Sequence, residues 1–575
     1  VRIGLVTEGG YPYVGGDVGF WCERLVRGLG QHEFDLYALS RSRRQEDAGW
    51  VPLPPQVSRV RTAPLWAAED DGITYGRRAR RRFAECYGEL ASVLVTASGG
   101  GPDSPGDHGE AVGQDRADDE ADRFGSALYG LAELARDEGG LVGALRSETA
   151  VRALERACRA PGASRAAREA RVPDLLAAAG HLRQALSPLA VDWYEDDGLG
   201  AADLCHAAAG GAAALSGLLA RHFTGVPLLV TEYGARLRAH HLATGADGTA
   251  PAVRALLAAF HGGVAAEAYR QAALVTHGNA HTRRWQERCG AERAKLRTVH
   301  PGMDAAGFAG AGESPEAADP DTLVWAGRVE PAKDLVSLLH AFAQVHRQEP
   351  KARLRIVSTA TGSDGTAYLG HCRALAAQLF PDEAEGPHTV GDNPVSFEEV
   401  GGPEAPTLAE VYASGAVIVL SSVVEGFPIG LVEAMFCGCA TVSTDVGAVV
   451  EVIGGTGLVV PPRNPRALAD ACMALLRDPE RRARLGAAAR ARALELFTVE
   501  QNIAAFHGMY LEIVSHCPVR RVVLGETGEP LPFAVPAEAH VPGSWTGPPA
   551  RVAARRATDS PAPCPTPMTT TEASG

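Results

Sequence analysis

Two glutamates, Glu425 and Glu433, are separated by seven residues in the stretch VVEGFPIGLVEAMFCG, 423–438. Between them lie Gly426, Pro428 and Gly430. The apolar run GAVIVLSS precedes them and reads as a strand; LVEAMFCG follows with the spacing of a helix. A strand that turns through glycines into a helix presents unpaired backbone N–H groups and about half a positive charge at the helix start. That is a seat for an anion, phosphate above all. The glycines let the backbone approach a ligand, and Pro428, which has no N–H, stiffens the entry. Glu433, one turn into the helix, cannot hold a phosphate but can accept hydrogen bonds from hydroxyls such as those of a ribose. Glu425, before the turn, suits a second set of hydroxyls. Phosphate with hydroxyls on both sides describes a nucleotide-sugar. On this stretch alone a strand-end acid and an exposed helix acid would read the same way.

A second stretch, AGRVEPAKDL, shifts the balance. Arg328 and Lys333 sit around Pro331 in a loop at the carboxyl end of the strand TLVWAGRV. A fork-shaped guanidinium and a compact ammonium can together neutralise a diphosphate. His206, in LCHAAAGG, falls at a strand end before a glycine-containing helix start, where it could face a ligand; a lone histidine among alanines is also a common structural residue. Glu232 and Tyr233, in VPLLVTEYG, occupy another strand end. Asp319 and Asp321 spell the DxD pattern of metal sites, but they precede their strand and read as linker. Cys437 and Cys439 form a lone CxC, too little for zinc. No metal or cofactor is expected.

These residues need a scaffold, and the chain is long enough to supply two or three domains. It has 575 residues, 46% apolar and 22% charged, a globular composition. The net charge of -14 argues against a large nucleic-acid footprint. Arg77, Arg78, Arg80, Arg81 and Arg82 read as the solvated face of a helix. Eleven scattered cysteines fit a reducing compartment. The opening VRIGLVTEGG reads directly as a strand and not as a signal peptide. No apolar run reaches the ~20 residues of a bilayer span, so a cytoplasmic protein is expected.

Strand, glycine turn, helix and strand follow one another in VRIGLV, GDVGFWCERLVRGL and FDLYALS, the opening of a doubly wound α/β domain. Residues 99–125 are acidic and glycine-rich and read as a solvated or disordered insertion. Alanine-rich helices occupy much of 126–190. The strands ADLCHAAA, VPLLVTEYG and AALVTHGN then resume the rhythm, and KLRTVHPGMD closes the half. This predicts an N-terminal Rossmann-like domain over 1–305 and a linker over 306–321. A C-terminal Rossmann-like domain follows over 322–480, with strands TLVWAGRV, ARLRIVST, GAVIVLSS, CATVSTDVG and TGLVVPP. Helices fill 481–517. The Pro-, Ala- and Thr-rich tail, 518–575, reads as disordered. Two such halves form a cleft faced by the carboxyl ends of both sheets, where open α/β sheets bind ligands.

With these residues in hand, the C-terminal half resembles the retaining glycosyltransferases of family 4, which have the GT-B fold. The likeness rests on the E-x7-E pair Glu425 and Glu433, on GRVEPAKD and on EGFPIGLVEAMFCGCATVSTDVGA. The N-terminal half is similar to the PelF-like subgroup of exopolysaccharide synthesis, through TEGGYPYVGGDVGFWCERLVRGL and PLLVTEYG. The likeness covers about residues 1–60 and 200–515. Departures include TEYG for the subgroup's TEHG and HPGMD for its PNGID. The resemblance implies that Arg328 and Lys333 hold the donor diphosphate, Glu433 the ribose and Glu425 the transferred sugar. The backbone of Gly426, Phe427 and Pro428 would line sugar and phosphate, with Gly430 and Leu431 at the helix start. Gly15 and Gly16 would form an N-terminal glycine loop, and His206 would stand near the reacting sugar. His206, Glu425, Arg328 and Lys333 are thus the implied catalytic set.

The implied activity is a metal-independent, retaining hexosyltransferase. It would move a hexose from a UDP-glucose-like donor to a glycan or lipid-linked acceptor in exopolysaccharide synthesis. A membrane-bound polysaccharide export complex would be a partner, with the enzyme at the inner face of the membrane. In GT-B enzymes the last helix crosses back to the N-terminal domain. TVEQNIAAFHGMYLEIV, 498–514, has that place and an apolar face of Ile503, Phe506, Tyr510 and Ile513. Alternatives are a GT-B sugar phosphorylase or nucleotide-sugar epimerase, or a non-catalytic subunit of a polysaccharide assembly complex.

Overall fold

The computed structural model describes residues 1–13, 17–68, 70–96, 110–243, 249–313, 319–359, 363–381 and 393–519, with two short strands, Val522–Val523 and Ala554–Arg555. Gly15 and Gly16, residues 99–109 of the expected insertion, and most of the 518–575 tail lie outside the described residues. The chain packs as two units. The first comprises Val1–His277, Thr282–Thr298 and Ala505–Gly575; the second comprises Gly278–His281 and Val299–Ala504.

The first unit is built on seven parallel strands: β1 (Arg2–Glu8), β2 (Glu33–Ser40), β3 (Val57–Pro64), β4 (Leu204–Ala207), β5 (Leu228–Glu232), β6 (Leu274–His277) and β7 (Leu296–Thr298). Their order is β3-β2-β1-β4-β5-β6-β7. β1, β4, β5 and β6 are buried almost throughout, as a sheet covered on both faces requires, and their sequences are correspondingly near-continuous apolar runs. The order reverses between β1 and β4. In doubly wound sheets that switch point opens a crevice beyond the strands' carboxyl ends.

The helices over this sheet correct one expectation. The arginine-rich segment does form a helix, Arg77–Thr96, whose Arg82 pairs with Glu133 at 2.7 Å and whose Arg81 pairs with Glu85 at 2.8 Å. The acidic stretch before Gly125, however, is not irregular throughout. From Glu110 it is the start of a helix reaching Glu138. Arg123 pairs with Glu89, and Phe124 is buried against Phe260. An aromatic anchor and a cross-helix ion pair order a segment whose composition alone reads as solvated.

The second unit repeats the plan with β8 (Asp319–Gly327), β9 (Arg353–Ser358), β10 (Val395–Glu399), β11 (Gly415–Leu420), β12 (Ala440–Thr444) and β13 (Leu458–Val460). The order is β10-β9-β8-β11-β12-β13, so the switch falls between β8 and β11. β8 begins at Asp319, inside the expected linker. Asp319 accepts bonds from the Asp321 amide at 3.1 Å and the Thr322 hydroxyl at 2.8 Å, so the DxD pattern serves the strand's first turn. Residues from Val299 pack with the second unit: the Met303 amide donates to the Phe497 carbonyl, and its carbonyl accepts from Val499.

The last helix, Val499–His516, lies in the second unit up to Ala504 and in the first from Ala505. Phe506 and Tyr510 are fully buried, and Phe506 meets the Trp21 ring at 5.4 Å. Among the described residues no helix is long and apolar enough to cross a membrane.

Candidate functional site

Arg328, Lys333 and the glycine turn all lie beyond the carboxyl ends of β8 and β11, the two strands at the switch of the second sheet. β11 is paired in parallel with β8, Ile418 opposite Val324, so the loops leaving both strands emerge side by side. Three bonds stitch these loops together. The Val423 amide donates to the Ala332 carbonyl at 2.8 Å, the Ser421 hydroxyl donates to the Lys333 carbonyl at 2.7 Å, and Lys333 Nζ lies 2.5 Å from Glu425 Oε1. Ser422 donates a further bond to the same carboxylate oxygen at 2.7 Å. Lys333 and Glu425 are both largely buried, 18% and 9% exposed at the side chain, so the pair is shielded from the screening that weakens surface ion pairs.

Two backbone features hold this arrangement. Asp334 takes a left-handed conformation, φ 47°, and its carboxylate caps the helix Leu335–Gln348 by accepting from the Ser337 amide. That turns the chain sharply just after Lys333. On the other side Gly447, φ 56°, lies under the glutamate turn. A Cβ there would stand 2.5 Å from the Glu425 carbonyl and 2.7 Å from that of Gly426, so only glycine fits.

The turn leads into the helix Ile429–Phe436 with no side-chain cap. The amides of Ile429 and Leu431 are used locally, donating to Phe427 and Pro428. Those of Gly426, Phe427 and Gly430 have no partner among the described residues. They are the donors left for an anion, and Gly426 has open space where a side chain would be. Glu433 accepts a bond from the Tyr412 hydroxyl at 3.1 Å. Tyr412 is buried, and burial together with the Glu433 charge raises its pKa well above the ordinary phenol value, so it stays a donor. Arg328 is exposed. Phe427 sits in an aromatic corner with Phe497 and His300.

Leu431 stands in the first turn of that helix, and its side chain is buried in a cluster with Met435, Val449 and Phe497, because it falls on the core face. One expectation is corrected. His206 is not open to a ligand. It is fully buried on β4, with Nδ1 2.8 Å from the Tyr510 hydroxyl and Nε2 2.8 Å from that of Thr231. Burial lowers its pKa to about 3, so the ring is neutral and both nitrogens are occupied. Glu232 is buried too, bonded by the Tyr269 hydroxyl, and burial raises its pKa. Tyr233 meets Trp21 edge to face at 5.2 Å. The two thiols of the CxC are free and buried, and Cys439 has its pKa pushed up by a side-chain hydrogen bond with Cys437 and by burial.

Sequence reasoning missed the supporting residues. Tyr412 lies in the short helix Leu408–Ala413 before β11, Ser421 and Ser422 look like ordinary strand-end serines, and Gly447 is one glycine among 65. Only the fold brings them to the acids.

Two parallel Rossmann sheets with this strand order define the GT-B fold, and residues 320–478 match the family described as glycosyl transferases group 1. Residues 1–294 of the 575 match the family described as Domain of unknown function (DUF3492), and the chain belongs to it. The chain is 30% identical over 319 residues to a D-inositol 3-phosphate glycosyltransferase of Saccharomonospora viridis, covering 52% of this chain and 70% of the relative. It is 31% identical over 237 residues to the protein of that name from Kineococcus radiotolerans, 38% of this chain and 52% of the relative. The chain thus spans about half the length of several curated relatives it matches. Its fold is similar to that of Anabaena Alr3699/HepE in complex with UDP, with a TM-score of 0.50, 12% identity, and coverage of 89% of this chain and 99% of that one.

Proposed function

We propose that this protein is a glycosyltransferase that takes a hexose from a nucleotide-sugar, with retention of anomeric configuration and without a metal. The observation that carries the reading is the Lys333–Glu425 pair at the switch of the second sheet, beside the open amides of Gly426, Phe427 and Gly430. Arg328, one face of the Lys333 ammonium and these amides would surround a diphosphate. Glu425 would take hydroxyls of the transferred sugar, and Glu433, steadied by Tyr412, those of the ribose. The match to glycosyl transferases group 1 supports sugar transfer, and the UDP held by HepE makes a uridine nucleotide the first donor to test.

In this reading the bond from the anomeric carbon to the diphosphate breaks while the bond to the acceptor oxygen forms on the same face. The departing phosphate oxygen takes the acceptor's proton, so no enzyme nucleophile is needed. The protein's part is to stabilise charge on the leaving diphosphate and to fix both substrates. The acceptor would be a glycan or lipid-linked glycan in exopolysaccharide synthesis, and the export machinery a partner at the membrane's inner face.

The test is a binding and hydrolysis screen of UDP-, GDP- and ADP-sugars without acceptor. One nucleotide class should bind and be slowly hydrolysed. Lys333→Ala should weaken its binding by roughly 1.5–3 kcal/mol, the scale of a hydrogen bond to a charged group. Equal affinity in both proteins would overturn the diphosphate assignment. Release of a sugar phosphate from a glycan, with no nucleotide bound, would favour a phosphorylase.

A further inference from the structure

We infer that His300 is a further, specificity-determining ligand at the glutamate turn. Its Nε2 accepts a hydrogen bond from one hydroxyl of the transferred hexose, so the site selects a donor on which that hydroxyl is free. The inference rests on the donor-site reading above and deepens it, adding a residue outside the pattern of acids, cations and glycines.

His300 opens the HPGMD turn, 300–304, which follows β7. The turn is held firmly within the second unit. Buried Asn502 donates from Nδ2 to the His300 carbonyl at 2.7 Å. Gly302 packs too closely for a side chain: a Cβ would stand 2.7 Å from that of Asn502 and 2.9 Å from the Val499 Cα. The imidazole is held as firmly as its backbone. Nδ1 lies 2.8 Å from the Gly278 carbonyl. The ring meets Phe497 edge to face with centres 5.0 Å apart, and it lies beside Phe427 at 6.3 Å, tilted by 35°. A side chain locked by packing and by a backbone bond is the kind that can fix a ligand's orientation.

One atom of this ring is left over. A carbonyl can only accept, so Nδ1 carries the proton in its bond to Gly278, and in the neutral ring Nε2 presents a lone pair. Nε2 has no partner among the described residues, and the side chain is only half-buried. Its neighbour Phe427 belongs to the glutamate turn and contributes one of the open amides. Those amides, with Arg328 and Lys333, are donors alone. They suit phosphate oxygens, but each sugar hydroxyl also has a proton to give and needs an acceptor. Glu425 is one acceptor, and it already spends Oε1 on Lys333 and Ser422. His300 Nε2 is a second. Being neutral, it takes a hydroxyl without setting another negative charge beside a diphosphate, as a further carboxylate would. A site built to bond a hydroxyl strongly rejects the analogue that lacks it.

The test is calorimetric titration of the full chain with UDP, ADP and GDP and with the glucose and galactose esters of each. An asparagine amide reaches the place of Nδ1, and a glutamine amide that of Nε2. His300→Asn therefore keeps the tie to Gly278 and loses the outer acceptor, whereas His300→Gln keeps the outer acceptor. For the nucleotide that the wild type binds, His300→Asn should weaken the tighter ester at least tenfold. It should leave the bare diphosphate within twofold and the melting temperature unchanged. His300→Gln should hold the ester within threefold of the wild type. Among monodeoxy analogues of that ester, one should bind the wild type at least tenfold more weakly and lose nothing further on His300→Asn. Equal losses for ester and diphosphate, loss in His300→Gln but not in His300→Asn, or a further loss for every monodeoxy analogue would each overturn the inference while leaving the donor site standing. A wild type that bound none of these nucleotides or esters would overturn both.

Discussion

His206 Nδ1 lies 2.8 Å from the hydroxyl of Tyr510, a residue 304 positions further along the chain. The bond continues a buried hydroxyl chain: His206 Nε2 meets Thr231 on β5, and Thr276 on β6 donates to Thr231 at 2.7 Å. Phe506 stacks on the same imidazole, with ring centres 5.4 Å apart. The histidine that sequence patterns mark for catalysis therefore fastens the final helix to the first sheet. Tyr510→Phe should destabilise the protein by about 1–3 kcal/mol, the cost of leaving a buried polar group unsatisfied, read from urea unfolding. Donor hydrolysis per folded molecule should not change. A variant that kept full stability and lost turnover would return His206 to the reaction.

Acid should loosen the same region. Burial lowers the pKa of His206 to about 3, and burial with the neighbouring His507 lowers that of His32 to about 4. In the unfolded chain both titrate near 6.5. Between these values the unfolded state binds protons that the folded state refuses. Stability is therefore whole above about pH 6.5 and falls as the pH drops toward 4, by about 1.4 kcal/mol per pH unit for each such histidine. Urea midpoints at pH 7.5, 6 and 5 check this; a flat profile over that range would contradict the burial of these rings.

Gly447 offers a test of how the candidate donor site is held. Its Cβ position is filled by the carbonyls of Glu425 and Gly426, and its φ of 56° is costly for any side chain. Gly447→Ala should cost about 1–3 kcal/mol of stability. It should also weaken nucleotide-sugar binding, because the strain is relieved by moving the Glu425 turn. Thermal unfolding and a binding isotherm on the same sample separate the two effects. Gly430→Ala is the milder comparison, since its Cβ would stand 3.1 Å from the Tyr412 hydroxyl and at an ordinary 3.7 Å from the Ala326 carbonyl.

Much of this architecture is legible in the sequence because parallel strands covered on both faces must be apolar throughout. β1, β5, β8, β11 and β12 stand out for that reason. The strands that escape detection are β3, β7 and β10. β3 and β10 are edge strands, half exposed, and VSRVRTAP and VSFEE carry charges in place of an apolar run. β7 is three residues, LRT. At the candidate donor site the acids, the cations and the glycines show in local spacing. Tyr412, Ser421, Ser422 and Gly447 do not, since their relation to the acids exists only across strands. The same holds for Glu8 and Arg236, 228 positions apart in the chain and 3.8 Å apart in the fold, which only the β1/β4/β5 order brings together. At His206 the sequence leaves both roles open, because a strand-end histidine looks the same whether it faces a ligand or a helix.

The Lys333–Glu425 bond makes a prediction that neither residue makes alone. In the free protein each satisfies the other at 2.5 Å, so Glu425→Gln removes a partner and leaves the ammonium's full charge to a diphosphate. Nucleoside diphosphate without a sugar should therefore bind Glu425→Gln as well as or better than the wild type. The intact nucleotide-sugar should bind worse, because a hydroxyl acceptor has been weakened. Lys333→Ala should weaken both. Tyr412→Phe should weaken both by roughly 0.5–1.5 kcal/mol, the net worth of a hydrogen bond, through a less firmly oriented Glu433. Titrating UDP and a UDP-sugar against these three variants separates the sugar end of the site from the ribose end. If Glu425→Gln lowered the affinity for both ligands equally, Glu425 would be a support for Lys333 and not a ligand to the sugar.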